Sequence, residues 1–241
     1  MNYLALIWAD GRPSREDLAV MQRELPIFGE HPEWGRVRLL GRELELPVQA
    51  ATVRVRGGQT LVADGPFAET KEFIAGFDLL DATGPDQAID FAAACPISWF
   101  QPIEVRPFAG ELTLDEPALA FRRMEDGGGR PHLLCPWVDA RTAELGPLDE
   151  VAAWREELRV RGLHVLGHAL AAPRDATTVR VRDGRRELTR GPFTQIPQVM
   201  VELDVVNCAD REQAIELAAT HPLARGHAVE VRPFYVEADD R

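Results

Sequence analysis

Thr52-Val53-Arg54-Val55-Arg56 returns as Thr178-Val179-Arg180-Val181-Arg182, Gly65-Pro66-Phe67 as Gly191-Pro192-Phe193, and Glu104-Val105-Arg106-Pro107-Phe108 as Glu230-Val231-Arg232-Pro233-Phe234. Each pair is 126 residues apart (52 to 178, 65 to 191, 104 to 230). Gln87-Ala88-Ile89 with Gln213-Ala214-Ile215, Ala92-Ala93 with Ala218-Ala219, and Pro96 with Pro222 keep that spacing without a gap. A register held across such unlike segments marks an internal repeat, which has to be read before any single element. Toward the start the spacing becomes 129, matching Leu4 and Trp8 to Leu133 and Trp137. The expected organisation is a first unit over 1–108, a linker over 109–130 and a second unit over 131–236. The linker ends in Gly127-Gly128-Gly129, and its stretch from Asp115 to Glu125 has the spacing of a short helix as much as of coil.

Within a unit the apolar periods run strand, helix, strands, helix, strand. Asn2 to Trp8 is a short apolar run closed by Asp10-Gly11. Ser14 stands before Arg15-Glu16-Asp17 and an apolar series Leu18, Met21, Leu25, which is an N-cap with acidic residues in the first turn. Val37 to Leu46 and Ala51 to Val55 read as strands, Gly57-Gly58 as a turn, and Thr60 to Ala63 as the return strand of a hairpin. Ile74 to Leu80 is a core strand, Pro85 to Ala94 a helix with Pro96 beyond its end, and Ile103 to Phe108 the last strand. The order β-α-β-β-α-β with an extra hairpin is the ferredoxin-like arrangement, an α+β sheet covered on one face by helices. Two such units in one chain can cover their remaining sheet faces by packing sheet to sheet, as a pseudo-dimeric α/β barrel. The alternative is two independent lobes, each pairing with another chain.

The chain has 241 residues, 45% of them hydrophobic and 27% charged, enough to bury a sizeable core. Its net charge of −12 opposes attraction to phosphate backbones and anionic membrane surfaces, so neither nucleic acid nor membrane is an expected partner. Cys95, Cys135 and Cys208 form no CxxC pair, which argues against a zinc site or disulfide scaffold and for a reducing, cytoplasmic setting. The apolar run at the start is too short for a signal peptide or membrane span. No HExxH or HxH spacing pairs two of the six histidines as metal ligands, and there is no GxGxxG, P-loop or GxSxG. No metal or cofactor is expected.

The run Asp64-Gly65-Pro66-Phe67-Ala68-Glu69-Thr70-Lys71-Glu72, followed by Gly76-Phe77, Ala88-Ile89, Cys95-Pro96 and Glu104-Val105-Arg106-Pro107, resembles the YCII-related family, also called DGPF-domain proteins. The resemblance is close over residues 1 to 108 and weaker over 131 to 236. It implies a dimeric α/β barrel of ferredoxin-like units. It also implies kinship with muconolactone isomerase-type proteins, in which a cleft holds a small organic ligand and a His/Asp pair is proposed for acid/base work. On that analogy the candidate catalytic residues are Asp64, Glu69 and His31, the only histidine of the first half, with Phe67 and Lys71 as ligand-binding residues. The chemistry would be isomerase- or lyase-like proton transfer beside a carbonyl. A second reading, also carried by the resemblance, is a non-catalytic accessory or regulatory protein acting through protein contacts, linked to a sigma factor.

Each of these residues also has a plain structural role open to it. Asp before Gly-Pro nucleates turns, Glu69 and Lys71 suit solvated loop charges, and His31 suits a surface loop. Arg54, Arg56 and Arg106, like Arg180, Arg182 and Arg232, alternate along strands and are placed to pair with Glu104 or Glu230, or to meet an anion. Trp8 and Trp137 suit core packing. In the second copy Asp64 is replaced by Arg190, Glu69 by Gln195, Thr70 by Ile196 and Lys71 by Pro197, while the Gly-Pro-Phe turn is kept. At most one motif-based site per chain is therefore expected, the second copy being a degenerate partner. That leaves an intramolecular pseudo-dimer, with further homodimerisation open.

Overall fold

The computed structural model describes residues 1–9, 11, 13–67, 72–110, 129–141, 148–194 and 196–236. It is a mixed α+β protein with two antiparallel sheets among the described residues, and it divides into two compact units that do not follow the sequence halves. The first unit comprises Met1–Glu43, Thr70–Leu112 and Ala171–Gln195; the second comprises Leu44–Glu69, Thr113–Leu170 and Ile196–Arg241. Each half of the chain thus contributes a hairpin to the unit built mainly from the other half.

In the first unit, β1 (Asn2–Ala9), β2 (Arg38–Glu43), β5 (Phe73–Asp81) and β6 (Ile103–Pro107) form a sheet that is extended by the hairpin β9 (Thr177–Arg182) and β10 (Arg185–Arg190), in the order β10-β9-β6-β1-β5-β2. Helix α1 (Arg15–Gly29) opens on a full capping box: Ser14 Oγ accepts from Asp17 N–H at 3.1 Å, and the Asp17 carboxylate accepts from Ser14 N–H at 2.8 Å. A one-turn helix α2 (Trp34–Val37) and helix α3 (Pro85–Ala94), with proline in its first turn, follow. The strand expected over Val37 to Leu46 is shorter than its apolar run, because α2 precedes it and Pro47 fixes φ for a 3-10 turn at Pro47–Gln49. Tyr3, Ala5 and Ile7 of β1 share one core with Phe28, Phe91, Ala92 and Val179, the last from the hairpin of the other half.

The second unit repeats this plan with β7 (Arg130–Asp139), β8 (His164–Ala169), β11 (Gln198–Met200), β12 (Glu202–Cys208) and β13 (Ala228–Pro233), joined by the hairpin β3 (Ala51–Arg56) and β4 (Gln59–Asp64). The path is β4-β3-β13-β7-β12-β8, with β11 pairing β7. Helices α4 (Leu148–Val160) and α5 (Arg211–Thr220) pack a core of Trp154, Leu158, Val206, Leu217 and Val229 with Ala51 and Val53 of the hairpin. Full burial of Val53 here, and of Val179 in the first unit, contributes about 1.5–3 kcal/mol per side chain to seating each hairpin. Both hairpins turn through two residues with positive φ, Gly57-Gly58 and Asp183-Gly184, as tight strand connections require. The helix expected over Asp115 to Glu125 lies outside the described residues.

Candidate functional site

The Gly-Pro-Phe turns lie where the hairpins meet their host sheets. In the second unit Phe67 N–H donates to Glu230 Oε2 at 3.1 Å, the Phe67 ring stacks on Trp137 at 5.9 Å, and the Arg54 guanidinium covers the ring at 5.2 Å. In the first unit Phe193 N–H donates to Glu104 Oε2 at 3.0 Å, Phe193 meets Trp8 at 5.7 Å, and Arg180 covers it at 5.4 Å. Trp8 Nε1–H also donates to Glu104 Oε2, at 3.2 Å. The buried Arg232 and Arg106 close the same joints by donating to the carbonyls of Glu45 and Ala171. Burial pushes the Glu104 carboxyl up, against the opposing pull of Arg106 and its two donors.

The expected site residues fall as follows. Asp64 is 87% exposed and forms an ion pair with Arg211 at 2.7 Å. Phe67 is half-buried in the joint just described. Glu69 and Lys71 lie outside the described residues. His31 belongs to the first unit, whereas Asp64 and Phe67 belong to the second; it is exposed, stacks on Trp34 at 5.8 Å, and lines a groove of 510 Å³ with Glu33, Arg36, Asp81 and Gln87.

The densest set of interacting ionisable groups among the described residues was not anticipated. In the second unit, β12 carries Glu202 and Asp204 inward, edge strand β8 carries His164, α4 carries Arg155, and His221 follows α5. His164 Nε2 is 2.8 Å from Asp204 Oδ1, Arg155 donates from Nε (2.6 Å) and Nη2 (3.0 Å) to the two Asp204 oxygens, and Nη2 reaches Glu202 Oε2 at 3.3 Å. His221 Nε2 lies 2.9 Å from Glu202 Oε1 and 3.7 Å from Asp204 Oδ2. The backbone makes room for this: a Cβ on Gly167 would fall 1.8 Å from Asp204 Oδ1 and 2.8 Å from His164 Nε2.

Burial alone would raise the Asp204 carboxyl, but Arg155, His164 and His221 outweigh it and hold it well below the usual carboxylate range. Asp204 is therefore an anion and can only accept, so the His164 nitrogen that faces it, Nε2, is the donor, and the neutral form of the ring has its lone pair on Nδ1. Burial disfavours a charged His221, and Asp204 and Glu202 outweigh that and raise it. Yet His221 Nδ1 accepts from Leu223 N–H at 3.2 Å, a bond that an imidazolium has to give up.

Glu202, Asp204 and His221 have the ligand types of a metal site, with their ligating atoms within 4.8 Å of one another. The local chemistry does not suit a cation. With Nδ1 accepting from Leu223, neutral His221 carries its proton on the Nε2 that would have to ligate. Arg155 already occupies both oxygens of Asp204 and one of Glu202.

The first unit holds a simpler version at positions 126 lower. There Arg38 donates to Asp78 at 2.6 Å across Gly41, whose Cβ would fall 2.1 Å from Asp78 Oδ1. Cys95 stands at the position matched to His221, its thiol pushed up to about 12 chiefly by burial. Sequence carried one signal for these sites: Asp78 in Gly76-Phe77-Asp78-Leu79-Leu80 and Asp204 in Leu203-Asp204-Val205-Val206 are charges set between apolar residues, 126 residues apart (78 to 204). The histidines carried none, since only strand pairing brings His164 to Asp204.

The YCII-related domain model matches residues 1–108. An uncharacterised protein of Rhizobium meliloti (strain 1021), R00369, is 41% identical over 105 residues, which are 40% of this chain and 82% of the relative. Among solved structures, a crystal structure described as a chlorite dismutase candidate, TA0507, aligns with 99% of this chain and 96% of its own at 10% identity and a TM-score of 0.41. No helix among the described residues is long and apolar enough to cross a membrane. By the match of its first 108 residues and its 41% identity to a relative of which it covers 82%, the chain belongs to the YCII-related family.

Proposed function

We propose that the protein binds a small organic molecule and performs acid/base, isomerase- or lyase-like chemistry on it, with His164 as the proton acceptor and Asp204 as the anion that orients it and stabilises its imidazolium. The observation that carries this reading is the 2.8 Å contact between His164 Nε2 and an Asp204 carboxylate kept ionised by Arg155. A proton leaving a carbon beside a carbonyl moves to His164 Nδ1, and the positive charge so formed is met by Asp204 without rearrangement. The reading keeps the class of chemistry expected from the sequence and moves its ionisable groups from the Asp64 loop to β8 and β12. The exposed Asp64–Arg211 pair supports that move.

We also read the chain as two tandem YCII-like copies with ferredoxin-like strand order, the second degenerate at its motif. The equivalent orders β6-β1-β5-β2 and β13-β7-β12-β8 support this, as do joints formed by residues 126 apart. Three buried free cysteines support a reducing compartment.

The test is a thermal-shift screen of wild type, H164Q and D64N against small carboxylates, lactones and phenolics, with solvent-deuterium incorporation into each hit as the catalytic readout. A ligand at about a hundred times its Kd adds roughly 2.7 kcal/mol. The expected result is a shift kept in D64N and lost, with deuterium incorporation, in H164Q. A shift lost in D64N and kept in H164Q returns the site to the Asp64 loop. Silence of all three proteins favours the accessory, protein-binding reading.

A further inference from the structure

Nearly everything that seats a hairpin is common to both hairpins. Each brings a Thr whose hydroxyl donates to the glycine carbonyl of its own Gly-Pro-Phe turn, Thr52 to Gly65 at 3.1 Å and Thr178 to Gly191 at 3.2 Å. Each brings an arginine to cover the phenylalanine, and a phenylalanine N–H for a waiting glutamate. The host edges are as alike: Val53 lies opposite Val229 on β13, and Val179 opposite Ile103 on β6. Nothing in these contacts tells one hairpin from the other, yet each is found in one place.

The difference lies in charge at the end of the outer strand. Where β4 ends, Arg211 at the start of α5 meets Asp64 at 2.7 Å and also donates to Ala50 O at 3.3 Å. The matched residue on the other hairpin is Arg190, and the residue matched to Arg211 in the first unit is Pro85. Seating the β9–β10 hairpin on β13 would therefore set Arg190 against Arg211, and seating the β3–β4 hairpin on β6 would leave Asp64 without a cation at that position. The other charge pair at a hairpin, Arg186 with Asp90 of α3, makes no such distinction, because the second unit offers Glu216 at the position matched to Asp90.

We propose that Arg211 selects between the two hairpins, accepting the one that ends in Asp64 and refusing the one that ends in Arg190. As a stabilising contact an exposed pair of this kind is worth little. As a selector it need only separate two otherwise equivalent seats, and it does so with both an attraction and a repulsion. The role also accounts for the charge inversion from Asp64 to Arg190 in a turn whose Gly-Pro-Phe is kept.

The test uses the full-length chain refolded from denaturant under mild oxidation, with two cysteine reporters read by peptide mass spectrometry. V53C/V229C closes when the β3–β4 hairpin is on β13, and V53C/I103C closes when it is on β6. Only the first is expected to close in an otherwise wild-type chain. R211D and D64R should each shift a several-fold larger share to the second reporter, or to covalent dimers in which V53C of one copy meets V229C of another. The double variant D64R/R211D should restore the wild-type pattern, and D64A should fall between. Monomer fraction after refolding at low and high protein concentration gives a label-free check in chains without the reporters. Reporter and monomer fractions that stay at wild-type values in R211D and D64R overturn the proposal, as does a double variant that behaves no better than the singles.

Discussion

Asp78 and Asp204 occupy matched positions on matched strands, both buried, and their surroundings drive them in opposite directions. At Asp78 burial outweighs the single partner Arg38, and the carboxyl is raised; at Asp204 the three neighbours Arg155, His164 and His221 outweigh burial, and it is lowered. The two therefore act oppositely on stability. A raised folded-state value means that Asp78 favours the fold most below the ordinary carboxylate value of about 3.9, and that this contribution falls as pH climbs from there through its raised value. Asp204 contributes fully above that ordinary value and loses its contribution only as pH falls through its depressed one. D78N is thus expected to change stability at neutral pH by no more than about 1 kcal/mol, and to flatten the decline in stability as pH rises above the carboxylate range. D204N leaves the half-buried Arg155 guanidinium with Glu202 as its remaining carboxylate and should cost about 3–5 kcal/mol. Urea unfolding of both variants across pH checks this, and equal losses would mean that the Asp204 partners do not hold it as an anion.

At the scale of elements, the hairpins were legible and their destinations were not. Gly57-Gly58 between alternating apolar runs announces β3 and β4, just as Ser14 with Asp17 announces α1, because turns and caps are settled by residues a few positions apart. Each hairpin is held on its sheet edge by partners far along the chain, 163 residues from Phe67 to Glu230 and 89 from Phe193 to Glu104. Repetition of the motif makes both edges read alike. The same limit hid the ionisable cluster: Asp204 is visible as a charge in an apolar strand, but His164 and His221 become its partners only once β8 pairs with β12 and α5 is packed. What the repeated Gly-Pro-Phe and Glu-Val-Arg-Pro-Phe segments do together is hold the joint, which gives a direct expectation. E104A removes the acceptor of Phe193 N–H and Trp8 Nε1–H and should destabilise by about 3 kcal/mol, since each buried donor left unmet costs about 1–3 kcal/mol. E104Q keeps an acceptor oxygen in place and should cost about 1 kcal/mol. Thermal or denaturant unfolding that ranks the two variants the other way would deny the joint its dependence on that oxygen.

For the whole molecule, reciprocal donation of hairpins makes each compact unit depend on both halves of the chain. Residues 1–108 supply Ala51 and Val53 to the core of the second unit, and the second half supplies Val179 to the core of the first. A chain laid out as two self-contained repeats would come apart when cut between them; this one should not. With a protease recognition sequence introduced near residue 120, cleavage is expected to leave two fragments that co-elute on size exclusion in native buffer and unfold in one transition. Two unseated hairpins would expose the fully buried Val53 and Val179 together with the Phe67 and Phe193 rings, a loss of several kcal/mol of apolar burial at about 25 cal/mol per Å². Fragments that separate without denaturant would show that each half retains its own hairpin, and the reciprocal seating would then have to be abandoned.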